Sequence, residues 1–233
     1  MNIAIIPARG GSKRIPRKNV KPFHGKPMIA YSIDAALASG CFDKVIVSTD
    51  DEEIADVAKQ YGAEVPFLRP ADIADDYATT MDVMAHAVQW CKDQGWDIEA
   101  ICCLYATAPF VLPGDLQSGY QLLKEENVQF AFSIASFPFP IQRAIKLDEN
   151  GAVSMFSPEQ ELVRSQDLEE AYHDAGQFYW GKASAFLNKL SIFSPHSKAV
   201  LLPRHRVQDI DTPEDWALAV SLFAALRLAK EQS

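Results

Sequence analysis

Met1-Asn-Ile-Ala-Ile-Ile-Pro-Ala-Arg-Gly-Gly-Ser-Lys-Arg-Ile-Pro-Arg-Lys-Asn19 decides the fold. The apolar run Asn2–Pro7 reads as a buried strand, and it opens into a basic loop with two glycines. The first 33 residues hold seven Lys or Arg and no acid, in a 233-residue chain of formal net charge −9. Glycines let backbone N–H groups approach an anion, and the cations neutralise it. The local reversal of sign suits a polyphosphate that the rest of the chain would repel. A strand leading straight into such a loop places it at the carboxyl edge of a sheet, where open α/β sheets bind ligands. Gly10-Gly11-Ser12-Lys13 lacks the spacing of a P-loop, and the G-x-G-x-x-G fingerprint is absent. The competing reading is a solvated basic turn.

Working outward, strands and helices alternate. A helix over Pro27–Ser39 carries an apolar stripe of Ile29, Ile33, Ala36 and Leu37. Lys44–Ser48 reads as a strand, and Asp50 as the cap of the next helix. Ala63–Phe67 reads as a strand, Thr80–Gln94 as a helix with Met84, Ala87, Val88 and Cys91 inward, and Glu99–Leu104 as a strand. A helix over Gly114–Glu126 and a strand over Phe130–Ala135 continue the rhythm. It predicts a Rossmann-like three-layer α/β/α fold with a mainly parallel sheet.

The rhythm breaks at Phe137-Pro-Phe-Pro140, which continues neither a helix nor a central strand. Gln142–Leu147 and Ala152–Phe156 read as a hairpin turning at Asn150-Gly151. Residues 137–174 are expected to be an inserted lid or dimerisation segment in a single domain, 1–233. Gln177–Gly181 returns to the sheet, and Thr212 with Pro213 starts the last helix.

An apolar fraction of 48% supports one core. The acidic balance argues against general nucleic-acid binding, and no apolar run approaches the roughly 18 residues of a membrane span. Cys41, Cys91, Cys102 and Cys103 show no C-x-x-C spacing. With no signal-peptide pattern at the N-terminus, a cytoplasmic location is expected.

Asp209-Ile-Asp211 precedes the last helix. In extended backbone, i and i+2 share a face, so two carboxylates can converge on a hard cation such as Mg²⁺. An acidic helix start complementing the dipole is the other reading. His24, His86, His173, His196 and His205 form no ligand pattern, and His86 reads as structural.

Ala4 to Asn19, with Val47-Ser-Thr-Asp-Asp51, Leu68-Arg-Pro-Ala71 and Gln208-Asp-Ile-Asp-Thr-Pro213, resembles the CMP-sialate synthetases, cytidylyltransferases of nonulosonic acids. The resemblance runs through the whole chain in the same order. It implies CTP and a nine-carbon α-keto acid sugar as partners, Mg²⁺ as cofactor, and a homodimer. It places Ala8, Arg9, Gly10, Gly11, Ser12, Lys18 and Asn19 around CTP, with Arg69 and Thr80 on the cytosine. Arg9, Lys18 and Asp211 would be catalytic, and Asp209 and Asp211 would hold the metal. On the sugar side, the sugar carboxylate calls for an Arg fork, and Arg143 and Arg164 are the candidates, with Gln142 as a polar partner. Tyr105, Gln177 and Tyr179 fall near sugar-contact segments.

One departure is informative. Where sialate synthetases carry Leu-Gln-Pro-Thr-Ser-Pro-Leu-Arg, this chain has Leu104-Tyr-Ala-Thr-Ala-Pro-Phe-Val111. The loss of a Gln and an Arg implies a more apolar sugar pocket. This segment, Phe137–Arg143 and Asp174–Gly181 look most like the pseudaminic acid branch of the family, whose sugar is a 6-deoxy, diamino relative of sialic acid. The expected reaction is therefore CMP transfer to pseudaminic acid. The alternatives are sialate or legionaminate as acceptor, a non-catalytic CTP-binding module, or a glycosyltransferase.

Overall fold

Alternation along the first strand buries both of its faces. Ile3 and Ile5 point into one core and Ala4 and Ile6 into another, all fully buried. The computed structural model describes residues 1–75 and 77–231. Its strands are β1 (Asn2–Pro7), β2 (Pro22–Phe23), β3 (Lys26–Pro27), β4 (Lys44–Ser48), β5 (Ala100–Leu104), β6 (Phe130–Ser136), β7 (Ile145–Leu147), β8 (Val153–Met155), β9 (Tyr172–Lys182) and β10 (Ser197–Leu201). Its α-helices are α1 (Met28–Ser39), α2 (Glu52–Gln60), α3 (Thr80–Asp93), α4 (Pro113–Leu123), α5 (Ala183–Leu187) and α6 (Pro213–Glu231).

The main sheet runs β10-β6-β9-β5-β1-β4. β4, β1 and β5 are mutually parallel, and β10 is parallel to β6. β9 is antiparallel to both β5 and β6, so one strand opposes an otherwise parallel sheet. Its direction follows from the connection. Parallel neighbours need a crossover that brings the chain back to the opposite edge. The excursion after β6 returns to the edge it left, where Phe137 N–H donates to the Ala171 carbonyl at 3.0 Å.

α1, α2 and α4 cover one face through Ile29, Ile33, Ile54 and Leu116. α3 and α5 cover the other through Met84, Val88 and Phe186. Gly119 of α4 lets the helix settle on Trp180, because a Cβ there would meet the indole at 2.7 Å. A third cluster joins Ile15, Phe23 and Met28 to Ile210 and Ala219. Phe23 packs edge-on against Trp216 and Phe223, at centroid distances of 5.5 and 5.2 Å. Through this cluster α6 is fastened to the cationic loop.

Several local expectations shift. Asp51, not Asp50, caps α2, accepting from Ile54 N–H at 3.0 Å, because Asp50 is engaged by the loop. Ala63–Phe67 makes only an isolated bridge, Ile46 to Glu64, and a second follows at Thr49 to Leu68. α4 stops at Leu123, three residues early. The hairpin forms as β7 and β8, but Gln142 sits in a 3₁₀ turn before it. Tyr172–Asp174 already pair with β6, so the segment outside the main sheet ends at Ala171. Cys91, Cys102 and Cys103 are buried, and burial raises all three thiols. Among the described residues no helix is long and apolar enough to cross a membrane.

Candidate active site

β1, β4 and β5 end side by side, and the loop after β1 folds over their carboxyl edge. Gly10 N–H donates to Asp50 Oδ1 at 2.9 Å. A Cβ on Gly10 would stand 2.6 Å from Asp51 Oδ2, so this close approach requires glycine. Buried Asn19 closes the loop, its Nδ2 donating to the Arg9 carbonyl at 2.9 Å. Arg17, at φ 56°, turns back to grip Asp51 with both terminal guanidinium nitrogens, Nη1 and Nη2, at 2.5 and 2.9 Å, and also reaches Glu53. The loop is thereby tied to the start of α2.

The Arg17 hydrogen bonds hold the Asp51 carboxyl at about 2, against the opposing effect of burial. A carboxyl depressed on folding stabilises above its unfolded value near 4, and this contribution fades as pH falls toward 2. Arg17 is partly exposed, so the contribution is discounted to about 1–2 kcal/mol. Urea unfolding at pH 6 and pH 3 is expected to show a smaller loss of stability for Asp51→Asn than for the native chain. Equal losses would place the acid sensitivity elsewhere.

Arg69 lies under the loop, 6% exposed. Its Nε donates to Ser48 Oγ at 3.3 Å and its Nη2 to the Ser48 carbonyl. Burial, with Arg9 nearby, pushes this guanidinium below its ordinary value, and Asp50 offsets part of that. A buried cation with donors to spare is prepared for an anionic or carbonyl-bearing ligand.

Lys18 connects the two ends of the chain. Its Nζ donates to the Ile210 carbonyl at 2.6 Å and to Asp211 Oδ1 at 3.2 Å. Arg14 reaches the other oxygen, Asp211 Oδ2, at 2.6 Å. Burial works against ionisation of Asp211, but Lys18 and Arg14 prevail and hold its carboxyl below the ordinary range. Asp209 sits across fully buried Ile210. Partial desolvation, then the charge of Asp211, push the Asp209 carboxyl up, while Lys18 opposes them.

The result is a cleft of about 540 Å³ that Arg9, Ser12, Lys18, Asn19, Arg69, Thr80, Tyr105 and Asp211 line together. Ala8, Gly10 and Gly11 carry the backbone behind it. Lys13 and Arg14 also line it, so five cations face two carboxylates, Asp75 and Asp211, among the described residues. Such a charge balance fits a polyphosphate. Asp209 adjoins the cleft without lining it, and no third His, Cys, Asp or Glu completes a metal-holding group among the described residues. Two hard oxygen donors suit Mg²⁺, which keeps water and phosphate as its other ligands.

The sugar-side candidates divide. Tyr105 lines the cleft and meets Thr80 at 3.3 Å between hydroxyls. Tyr179 is buried beside it, with ring centroids 5.4 Å apart. Gln177 is buried behind them, its Nε2 held by the Arg206 carbonyl at 2.6 Å. Gln142, Arg143 and Arg164 are not brought to this cleft within one chain. They bind their own segment instead: Gln142 the Glu169 carbonyl, Arg143 the Val163 carbonyl and Arg164 Asp167. His86 is partly buried against Phe67, and burial lowers its imidazole, as suits a structural residue.

Sequence reasoning overlooked Asp50, Asp51 and Arg17 as the frame of the loop and Arg14 as a partner of Asp211. The signal for Arg14 and Arg17 was present in the basic run. Their acidic partners, Asp211 and Asp51, are 197 and 34 positions distant.

A cationic loop at the carboxyl edge of a mainly parallel sheet, facing a pair of aspartates, defines a nucleotide-binding α/β protein. Residues 3–214 match the Cytidylyltransferase family, and the chain belongs to that family of nucleotidyltransferases. It is 49% identical over 222 residues to the pseudaminic acid cytidylyltransferase of Campylobacter jejuni, covering 95% of this chain and 96% of that protein. It is 36% identical to the CMP-N,N'-diacetyllegionaminic acid synthase of Legionella pneumophila, covering 95% of each. In fold it is similar to CMP:2-keto-3-deoxy-manno-octonic acid synthetase complexed with CTP, with a TM-score of 0.71 at 17% identity over 96% of this chain and 98% of that one.

Proposed function

We propose that this chain transfers CMP from CTP to the anomeric hydroxyl of pseudaminic acid, releasing pyrophosphate. The observation that carries this reading is the contact of Lys18 with Ile210 and Asp211, which joins the phosphate loop to the Asp-x-Asp pair. The identity to pseudaminic acid cytidylyltransferases supports the choice of sugar.

The sugar hydroxyl attacks the α-phosphorus in line. A new O–P bond forms, the α–β bridging bond breaks with its electron pair going to pyrophosphate, and the hydroxyl proton leaves to solvent. Arg9, Ser12, Lys18 and the backbone N–H of Gly11 hold the phosphates and spread their charge. Ala8 and Gly10, whose N–H groups are bonded to the Ser48 carbonyl and to Asp50, hold the loop in shape beneath them. Asn19, Arg69 and Thr80 hold the nucleoside. Most of the acceleration comes from positioning and electrostatics, as in other phosphoryl transfers. Asp209 and Asp211 would hold Mg²⁺, which supplies charge neutralisation on the phosphates when bound.

The segment after β6 exposes Phe139, Ile145, Leu147, Val153, Phe156 and Leu162. An apolar face of this kind suits a second copy of the chain. In such a homodimer, Gln142, Arg143 and Arg164 would be available to the partner's cleft, where an Arg fork would meet the sugar carboxylate. The reaction belongs in the cytoplasm, where CTP is made.

Pyrophosphate release from CTP, measured against a panel of nonulosonic acids, is expected to be fastest with pseudaminic acid. Faster turnover of N-acetylneuraminic or legionaminic acid would move the chain to another branch. CTP binding without pyrophosphate would mark a non-catalytic module.

A further inference from the structure

Beside the nucleotide cleft lies a smaller cavity of about 210 Å³, and Thr80 and Tyr105 line both. Met81, Met84, Phe186, Ile192 and Phe193 give it mostly apolar walls, and one charged group lines it, Asp174. No cation pairs with Asp174 among the described residues. Its Oδ2 accepts from the Tyr179 hydroxyl at 2.5 Å, and its Oδ1 from Gly176 N–H at 2.9 Å. These bonds fix the orientation of the carboxylate while leaving a lone pair on each oxygen. β9 is irregular here. Asp174 pairs with Ile134 and Tyr179 with Phe132, so the intervening β9 residues bulge against a single β6 position, with Gly176 at φ 61°. Bulges re-aim side chains next to sites of binding.

A hydrogen-bonded path runs from Thr80 to Tyr105 at the cleft, and Tyr179, packed on Tyr105, leads on to Asp174. A ligand group entering from the cleft therefore meets an acceptor set in apolar surroundings. A hydroxyl would satisfy the acceptor without filling the walls. A methyl would fill the walls and leave the carboxylate unmet. An acylamino group does both, offering an N–H beside an apolar acyl chain.

We infer that Asp174 is a specificity-determining residue for the acceptor, its carboxylate receiving the N–H of an acylamino substituent while the acyl group occupies the adjoining cavity. This rests on the reading of the acceptor as a diacylamino nonulosonic acid.

The experiment uses the full chain with CTP and three acceptors: pseudaminic acid and two analogues in which one acetamido group at a time is a hydroxyl. In the native protein, one replacement is expected to raise the acceptor KM about tenfold, the scale of losing one matched substituent. In Asp174→Asn the KM for pseudaminic acid rises by a similar factor, the CTP KM is unchanged, and pseudaminic acid and the analogue that the native protein disfavours become equal. This loss of difference is the signature of direct contact, as in a double-mutant cycle. A purely structural role would weaken both acceptors alike and keep their ratio, which would overturn the inference. If Asp174→Asn does not fold, Asp174→Glu, with its displaced carboxylate, is read in the same way. If the native protein shows no discrimination between the acceptors, the inference falls. If it releases no pyrophosphate with any of them, the functional reading falls first and takes the inference with it.

Discussion

Asp211→Asn is expected to lower kcat/KM by roughly three orders of magnitude, about 4 kcal/mol of transition-state stabilisation, with little change in thermal midpoint. The carboxylate is the meeting point of the site. Its two oxygens receive Lys18 and Arg14, and its backbone N–H is held by Asp215 at 3.1 Å. The backbone tie survives the substitution, as does the Lys18 bond to the Ile210 carbonyl, so the local fold is retained. The charge is lost, and with it one carboxylate of the Asp209–Asp211 pair, the one that lines the cleft. The side chain is 40% exposed, which keeps the cost to folding small. Pyrophosphate release under saturating CTP and acceptor is the measurement, with CTP affinity followed separately by calorimetry. The effect should fall mainly on kcat, because the loop still provides most of the phosphate contacts. Activity within tenfold of the native chain would remove the Asp-x-Asp pair from the reaction.

What the sequence made legible and what it hid follow a physical division. The strand–loop at 2–19 and the pair at 209 and 211 announce themselves by local spacing, because both act through neighbours on one short segment. The alternation of elements was enough for the layered fold, since each helix buries one face on the strands around it. The direction of β9 was not readable. It depends on whether the chain crosses over before returning, and the segment 137–171 gives no such signal. Asp50 and Asp51 are equally good helix caps in sequence. Only the position of Arg17 and Gly10, some 34 and 40 residues earlier, decides which one caps α2 and which one holds the loop. The same limit applies to Arg143 and Arg164, whose residue type suits a sugar carboxylate but whose partners within one chain are local. Asp174 is the reverse case. In sequence it ends a polar stretch, and it becomes distinctive only when the bulge in β9 turns it into an apolar cavity.

Lys18→Met is expected to reduce kcat/KM by roughly two to three orders of magnitude, the range for removing a preorganised charge from a phosphoryl-transfer site. Met keeps the apolar stem and approximate length of the side chain, which is only 16% exposed, so packing is preserved. Loss of the ammonium leaves the Ile210 carbonyl without its partner and brings Asp209 and Asp211 together with less compensating charge. A stability loss of about 1 kcal/mol follows from the unmet carbonyl. Lys18→Arg should rescue little. A planar fork cannot reproduce a single nitrogen held at once by a carbonyl at 2.6 Å and a carboxylate at 3.2 Å. The decisive comparison is the double variant with Asp211→Asn. Residues that operate as one unit lose their effects together rather than in product. The paired variant is therefore expected to be only slightly slower than Asp211→Asn alone, far from the five or six orders of magnitude that independent contributions would give. Full additivity would mean that Lys18 and Asp211 contact the nucleotide separately. The bond between them would then be incidental to the reaction, not the link that sets the reacting phosphate.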